Sequence, residues 1–287
     1  MPFSGLSPHS RLKCAKIAAP SFVWPAHIAE NCRRLEPLVD EVGLLFFQSE
    51  ACLAYTERDL PIWLAETGLG FHVHLPLDLP WSEGPERAWE IVSGLRRKTA
   101  FLQPWAFVLH PPEIGPGPVF TDQSRQLRVC PPPGNGVAFG QGFDSLAEFA
   151  RLWEQREKQG GGCSGELLLE NTRENDLVDS WPLIQSLNLG ICLDLGHLLI
   201  HDQQTHRVPG IWSQVRMVHL SAPGKPGPDG RPRDGHCSLA ALDHRGRALL
   251  EEILGRIRPD CVLMLEVFEP EGFMESLNML RWVTVRG

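Results

Sequence analysis

Apolar runs of strand length alternate along this chain with stretches in which apolar residues recur every three or four positions. The runs are "CAKIAAP" from Cys14, "VGLLFFQ" from Val42, "GFHVHLP" from Gly70 and "AFVLHPP" from Ala106. "ELLLENT" from Glu166, "GICLDLG" from Gly190, "VRMVHLS" from Val215 and "CVLMLEV" from Cys261 complete the series. Between them lie amphipathic stretches such as "AHIAENCRRLEPLVD", "PERAWEIVSGLRRKTAFL", "SLAEFARLWEQREKQ" and "ALLEEILGRIR". A strand that is apolar at successive positions is covered on both faces, and a helix after each strand makes neighbouring strands parallel. The pattern predicts an α/β chain folded as one (β/α)8 TIM barrel over residues 1–287, which fits better than a two-domain split. No repeat of fixed period is visible.

Two intervals break the rhythm. Residues 111–141 and 220–244 are rich in Pro and Gly and read as long loops after the fourth and seventh strands. Loops that follow strands fall at the C-terminal mouth of such a barrel, where its chemistry is kept.

The strand ends carry the chemistry. The third strand offers His72 and His74, which share a face because the side-chain period of a strand is two. The fourth ends in His110, the fifth in Glu170, the sixth in Asp194 with His197, the seventh in His219 and the eighth in Glu266. The loop after the seventh strand adds Asp234 and His236. A lone polar residue at a strand end is ordinarily a hydrogen-bonded or capping group. Six consecutive strands ending this way at one mouth call for another explanation, since each unpaired buried carboxylate costs several kcal/mol. Imidazoles and carboxylates are the ligands of zinc and other borderline divalent ions, and a bound ion supplies the charge the carboxylates need.

Composition narrows the partners. Among 287 residues the net charge is −8, and the pI is about 5.8, which argues against a surface built to hold nucleic acid. The 8 cysteines contain no CxxC pair and read as small buried residues in a reducing cytoplasm. No secretory h-region occupies the first 25 residues and no apolar run nears ~18, so neither export nor a membrane is expected. Ser-His-Asp spacing, a Gly-rich phosphate loop and a dinucleotide fingerprint are all missing; "GQG" and "GGG" read as turns.

The motifs "HLP" at 74, "HPP" at 110, "LENT" at 169, "CLDLGH" at 192, "VHLS" at 218, "DGH" at 234 and "LEV" at 265 together resemble the xylose-isomerase-like TIM barrels. Within these, the chain is most similar to the endonuclease IV (AP endonuclease family 2) group, over about residues 70–270. The resemblance implies up to three divalent ions, zinc foremost with manganese or iron as alternatives. His74, His110 and Glu170 would hold one ion, with His72 as an alternative strand-three ligand. Glu170 would bridge to a second, completed by Asp194, His219 and Glu266. His197, Asp234 and His236 would hold a third. Glu170 and Glu266 are the candidate catalytic carboxylates. Sugar isomerases of the fold use fewer ligands, so the full set favours phosphoester hydrolysis.

Departures refine the substrate. The group's first-strand glycine, histidine and serine motif is replaced by "APSFVWP". Its aromatic and asparagine run after the second strand is replaced by "FFQSEACL", and the seventh strand exits through "HLSAPGKPG". Those segments serve damaged-DNA recognition, and their loss with the acidic charge weighs against DNA. "FHVHLPLDLPW", "SEACLAY", "LLLENT" and "CLDLGHLL" instead resemble cobamide-remodelling phosphodiesterases of the CbiR type, which hydrolyse the nucleotide loop of cobamides. A small-molecule substrate of the corrinoid kind is thus implied, with His72, Glu50 and Asp78 as candidate substrate contacts. Trp24, Trp63, Trp81, Trp105 and Trp212 are candidate walls for so large a ligand. The alternatives are a sugar isomerase or epimerase on the same barrel and an AP endonuclease.

Overall fold

A computed structural model describes residues 15–114, 141–158, 165–228, 230 and 232–285. Seven strands come first: β1 (Lys16–Pro20), β2 (Glu41–Leu45), β3 (Gly70–His74), β4 (Ala106–Leu109), β5 (Glu166–Glu170), β6 (Gly190–Asp194) and β7 (Val215–Leu220). A two-stranded antiparallel hairpin of β8 (Ala222–Gly224) and β9 (Arg233–Cys237) follows, then β10 (Val262–Leu265). All strands but the hairpin pair close into a barrel in the order β1-β10-β7-β6-β5-β4-β3-β2. The helices are α1 (Ile28–Leu35), α2 (Ser49–Leu53), α3 (Pro85–Thr99), α4 (Gln141–Lys158), α5 (Trp181–Ser186), α6 (Leu195–Ile200), α7 (His244–Arg256) and α8 (Pro270–Val285). Every strand the pattern predicts is present. Among the described residues no helix is long and apolar enough to cross a membrane.

The chain divides into two compact units. One comprises Met1–Leu44, Thr67–Gly70 and Ile191–Gly287, the other Leu45–Glu66 and Phe71–Gly190. In the first, β1 pairs in parallel with β2 and β10, and β7 with β6 and β10. Ala18, Val42, Leu44, Ile191, Leu193, Met217, Val218 and Leu263 are fully buried there, as strands covered on both faces require. The pairing of β6 with β7 slips between Ile191 and Cys192, and that irregularity brings Asp194 directly opposite His219.

In the second unit, β4 pairs with β3 and β5. Pro85 starts α3, where its missing N–H costs nothing, and Arg96, Arg97 and Lys98 favour the negative end of the helix dipole. Behind β4, Trp89 of α3 meets Phe149 and Trp153 of α4 edge-on, with ring centroids 5.8 and 6.0 Å apart. The Arg96 guanidinium lies 4.2 Å from the Trp153 ring centre, a contact worth about 2 kcal/mol when desolvated. This packing fixes the strand that ends at His110.

The loop expected over 220–244 is instead partly ordered into the β8–β9 hairpin and the 3-10 turn Leu239–Ala241. Its strand character escapes a hydrophobic pattern because "RDGHC" has hardly an apolar residue to alternate. The loop expected over 111–141 falls mostly on residues 115–140, outside the described residues.

Candidate metal centre

Glu170, at the end of β5, is buried, and two imidazoles converge on one of its oxygens. His74 Nε2 stands 3.1 Å from Glu170 Oε2 and His110 Nε2 3.3 Å from the same atom. The other nitrogen of His74 decides what this means. His74 Nδ1 lies 2.9 Å from the carbonyl oxygen of Leu75, and a carbonyl only accepts, so the proton of a neutral ring sits on Nδ1. Nε2 then presents a lone pair to a carboxylate oxygen, and two acceptors at that distance repel unless a cation lies between them. A backbone carbonyl fixing the far nitrogen of the ring is the support that metal-ligating histidines ordinarily have.

In the other unit, six residues form a closed ring of alternating carboxylates and imidazoles. His219 Nδ1 is 4.0 Å from Asp194 Oδ2 and 3.3 Å from Glu266 Oε2. His236 Nδ1 is 3.5 Å from Glu266 Oε2, and its Nε2 is 3.2 Å from Asp234 Oδ1. His197 closes the ring, 3.5 Å from Asp234 Oδ2 and 3.7 Å from Asp194 Oδ1. Most of these separations are too long for good hydrogen bonds. Two donors sharing an ion at about 2.1 Å stand roughly 3–4 Å apart, the spacing observed. The donor chemistry therefore fits divalent metal. Asp194, His219 and Glu266 belong to a group of buried donors able to hold an ion, and His74 and Glu170 belong to another.

Local structure explains the ring. Asp194 ends β6 and is also the N-cap of α6, its Oδ1 accepting a hydrogen bond from the backbone N–H of His197. One carboxylate thus turns the strand into a helix and fixes where the helix points its His. Gly196 makes room for this: a Cβ there would lie 3.0 Å from Ser221 Oγ and 3.2 Å from Asp194 Oδ1. Asp234 and His236 alternate along β9 and so share a face. Where the hairpin strands cross, a Cβ on Gly235 would come 2.7 Å from Gly224 Cα, so only glycine fits. His236 has φ of 41°, in the left-handed region that a β-carbon disfavours. Asp234 is 47% exposed whereas His219 is sealed, so the ring runs from the floor of the unit to its surface. The His197 imidazole beside it, with His236, holds the Asp234 carboxyl below the usual carboxylate range, against the effect of partial burial.

Three sequence candidates lie outside these clusters. His72 is completely buried in β3, one pleat before His74, and of the two it is His74 that stands beside Glu170. Asp78 accepts hydrogen bonds from the backbone N–H and Oγ of Ser49, at 2.8 and 2.7 Å, a loop-tying role that occupies its Oδ1. Glu50 is exposed in the first turn of α2. Of the tryptophans, Trp81 packs on Phe149 and Trp24 on Phe273. Among the described residues Cys32, Cys52, Cys237 and Cys261 are free thiols.

No family model and no curated protein matches the chain. Solved structures do. The chain is similar to apo 3-keto-D-glucoside 4-epimerase, YcjR, from E. coli, at 16% identity and a TM-score of 0.59 over 94% of this chain and 98% of that one. It is similar to the TTHB071 protein from Thermus thermophilus, soaked with ZnCl2, at 22% identity and 0.59 over 95% and 98%. A xylose isomerase-like TIM barrel protein from Mycobacterium smegmatis in complex with magnesium matches at 15% and 0.54 over 98% and 99%. The chain has the xylose-isomerase-like TIM-barrel fold. At these identities the likeness extends to the fold, and the reaction has to be argued from the side chains.

Proposed function

We propose that the chain is a metal-dependent enzyme that hydrolyses a phosphodiester, with the nucleotide loop of a cobamide as the candidate substrate. The observation that carries this reading is the ring through His197, Asp234 and His236, assembled by a helix cap and a hairpin around Asp194, His219 and Glu266. A single-ion isomerase has no use for those three residues. These residues would hold divalent metal, which when bound would supply positive charge to the phosphoryl and leaving oxygens. Glu170, with His74 and His110 against its Oε2, would fix the inner ions and orient the attacking water. Glu266, between His219 and His236, would join the inner and outer ligands and accept the proton released.

The second reading is a sugar epimerase, and the comparisons favour it: YcjR is named for epimerisation, and none of the similar structures described above is named for hydrolysis. One experiment separates the two. Protein loaded with zinc, manganese or iron is incubated with adenosylcobalamin, and in parallel with D-fructose and D-tagatose, and products are resolved by chromatography while bound metal is counted. Hydrolysis with more than one ion per chain supports the first reading, and Glu170→Gln should then lower turnover by at least ~100-fold with the fold intact. Ketose epimerisation with a single ion overturns it in favour of the second.

A further inference from the structure

Among the described residues three large apolar side chains are conspicuously exposed: Phe47 (45%), Leu77 (54%) and Ile62. Single exposed apolar residues are ordinary. Phe47 and Leu77 lie on neighbouring segments, which leave the C-terminal ends of β2 and β3 and are tied together on both sides. Before them, the backbone N–H of Phe46 donates to the carbonyl of His74, at 3.0 Å. After them, Ser49 donates twice to Asp78. The segment 46–49 is thus clamped to 74–78, with Phe47 and Leu77 between the clamps. The adjacent Phe46 is buried and meets Tyr55 edge-on, with centroids 5.7 Å apart, so the exposure of Phe47 does not come from a loose loop. The same short frame carries His74, which faces Glu170.

We propose that Phe47 and Leu77 form an apolar shelf that receives a bulky nonpolar part of the substrate while its charged group is held beside His74. The proposal rests on the reading of His74 and Glu170 as part of a substrate-activating metal centre, and it makes the natural substrate an anion carrying a large apolar or planar substituent. The rigid clamp matters because a preorganised wall binds without paying to order a loop. Asp78 then serves as the fastener of the shelf, which explains why its carboxylate is already engaged.

The test uses two ligand pairs that differ only in apolar bulk. Binding of 1-naphthylphosphonate and methylphosphonate to metal-loaded protein is measured by titration calorimetry. Cleavage of bis(4-nitrophenyl) phosphate and methyl 4-nitrophenyl phosphate is compared as kcat/KM. The wild type should prefer the bulky member of each pair, and Phe47→Ser with Leu77→Ser should reduce that preference at least ~10-fold at unchanged metal content. Phe47→Tyr with Leu77→Met should retain it. Equal binding of the two phosphonates by the wild type, or a preference that survives the serine variant, overturns the shelf. So does a concentration-dependent dimer that the serine variant dissolves, since the face would then cover a second copy. If neither diester is cleaved but the phosphonate preference is present and lost on substitution, the hydrolase reading fails while the shelf stands.

Discussion

At the scale of single residues, the site depends on what is absent as much as on what is present. Gly196 has hydrogen where any other residue would put a carbon against Asp194 Oδ1 and Ser221 Oγ. Alanine there raises helix propensity, so Gly196→Ala should leave the melting temperature nearly unchanged. It should displace the capping carboxylate and weaken metal binding by roughly 10–100-fold, measured by competition with a chelating dye. Unchanged metal affinity would show that the close approach is incidental. Cys32 makes a separate prediction. Burial pushes its thiol up to about 12. Its peptide should therefore stay unlabelled by iodoacetamide at pH 8 in the native protein and label on unfolding. A thiol raised in the folded state favours folding below the ordinary thiol value. That contribution should be lost as pH climbs from there towards about 12, and a Cys32→Ala variant should show a shallower alkaline decline in stability.

At the scale of elements, the β8–β9 hairpin decides whether the outer ligands arrive. Its ladder is short, with Ala222 opposite Cys237 and Gly224 opposite Arg233, and its crossing admits only glycine. Asp234→Asn with His236→Ala should lower bound metal by about one equivalent and turnover by at least ~100-fold, read by elemental analysis and by cleavage of bis(4-nitrophenyl) phosphate. Folding should survive, because the apolar residues of β6, β7 and β10 are buried in the barrel and neither Asp234 nor His236 belongs to that core. Full metal content in the double variant would reduce "DGH" to a polar turn. Strand and helix positions on either side of this hairpin were legible in the apolar pattern. The hairpin was not, because nothing apolar in "RDGHC" marks which way its residues face.

For the molecule as a whole, charge is the property that selects partners. With a net charge of −8, the chain should bind an abasic-site duplex no more tightly than micromolar at ~150 mM salt, by fluorescence anisotropy. Sub-micromolar affinity with strand incision would move the protein to DNA repair. The eight barrel strands and the residues ending them could be read directly from sequence, since burial on both faces writes itself as continuous apolar runs and a polar residue closing such a run stands out. Two things could not. Sequence left His72 and His74 equivalent, because a period of two puts both on one face; only the depth of the strand seals His72 and sets His74 against Glu170. Likewise Asp194 and Asp234 are distant in the chain and meet on the two sides of His197, an encounter fixed by a helix cap and a hairpin crossing. Residue types and strand ends are local properties of the chain, whereas ligand geometry belongs to the three-dimensional meeting of segments that no local pattern encodes.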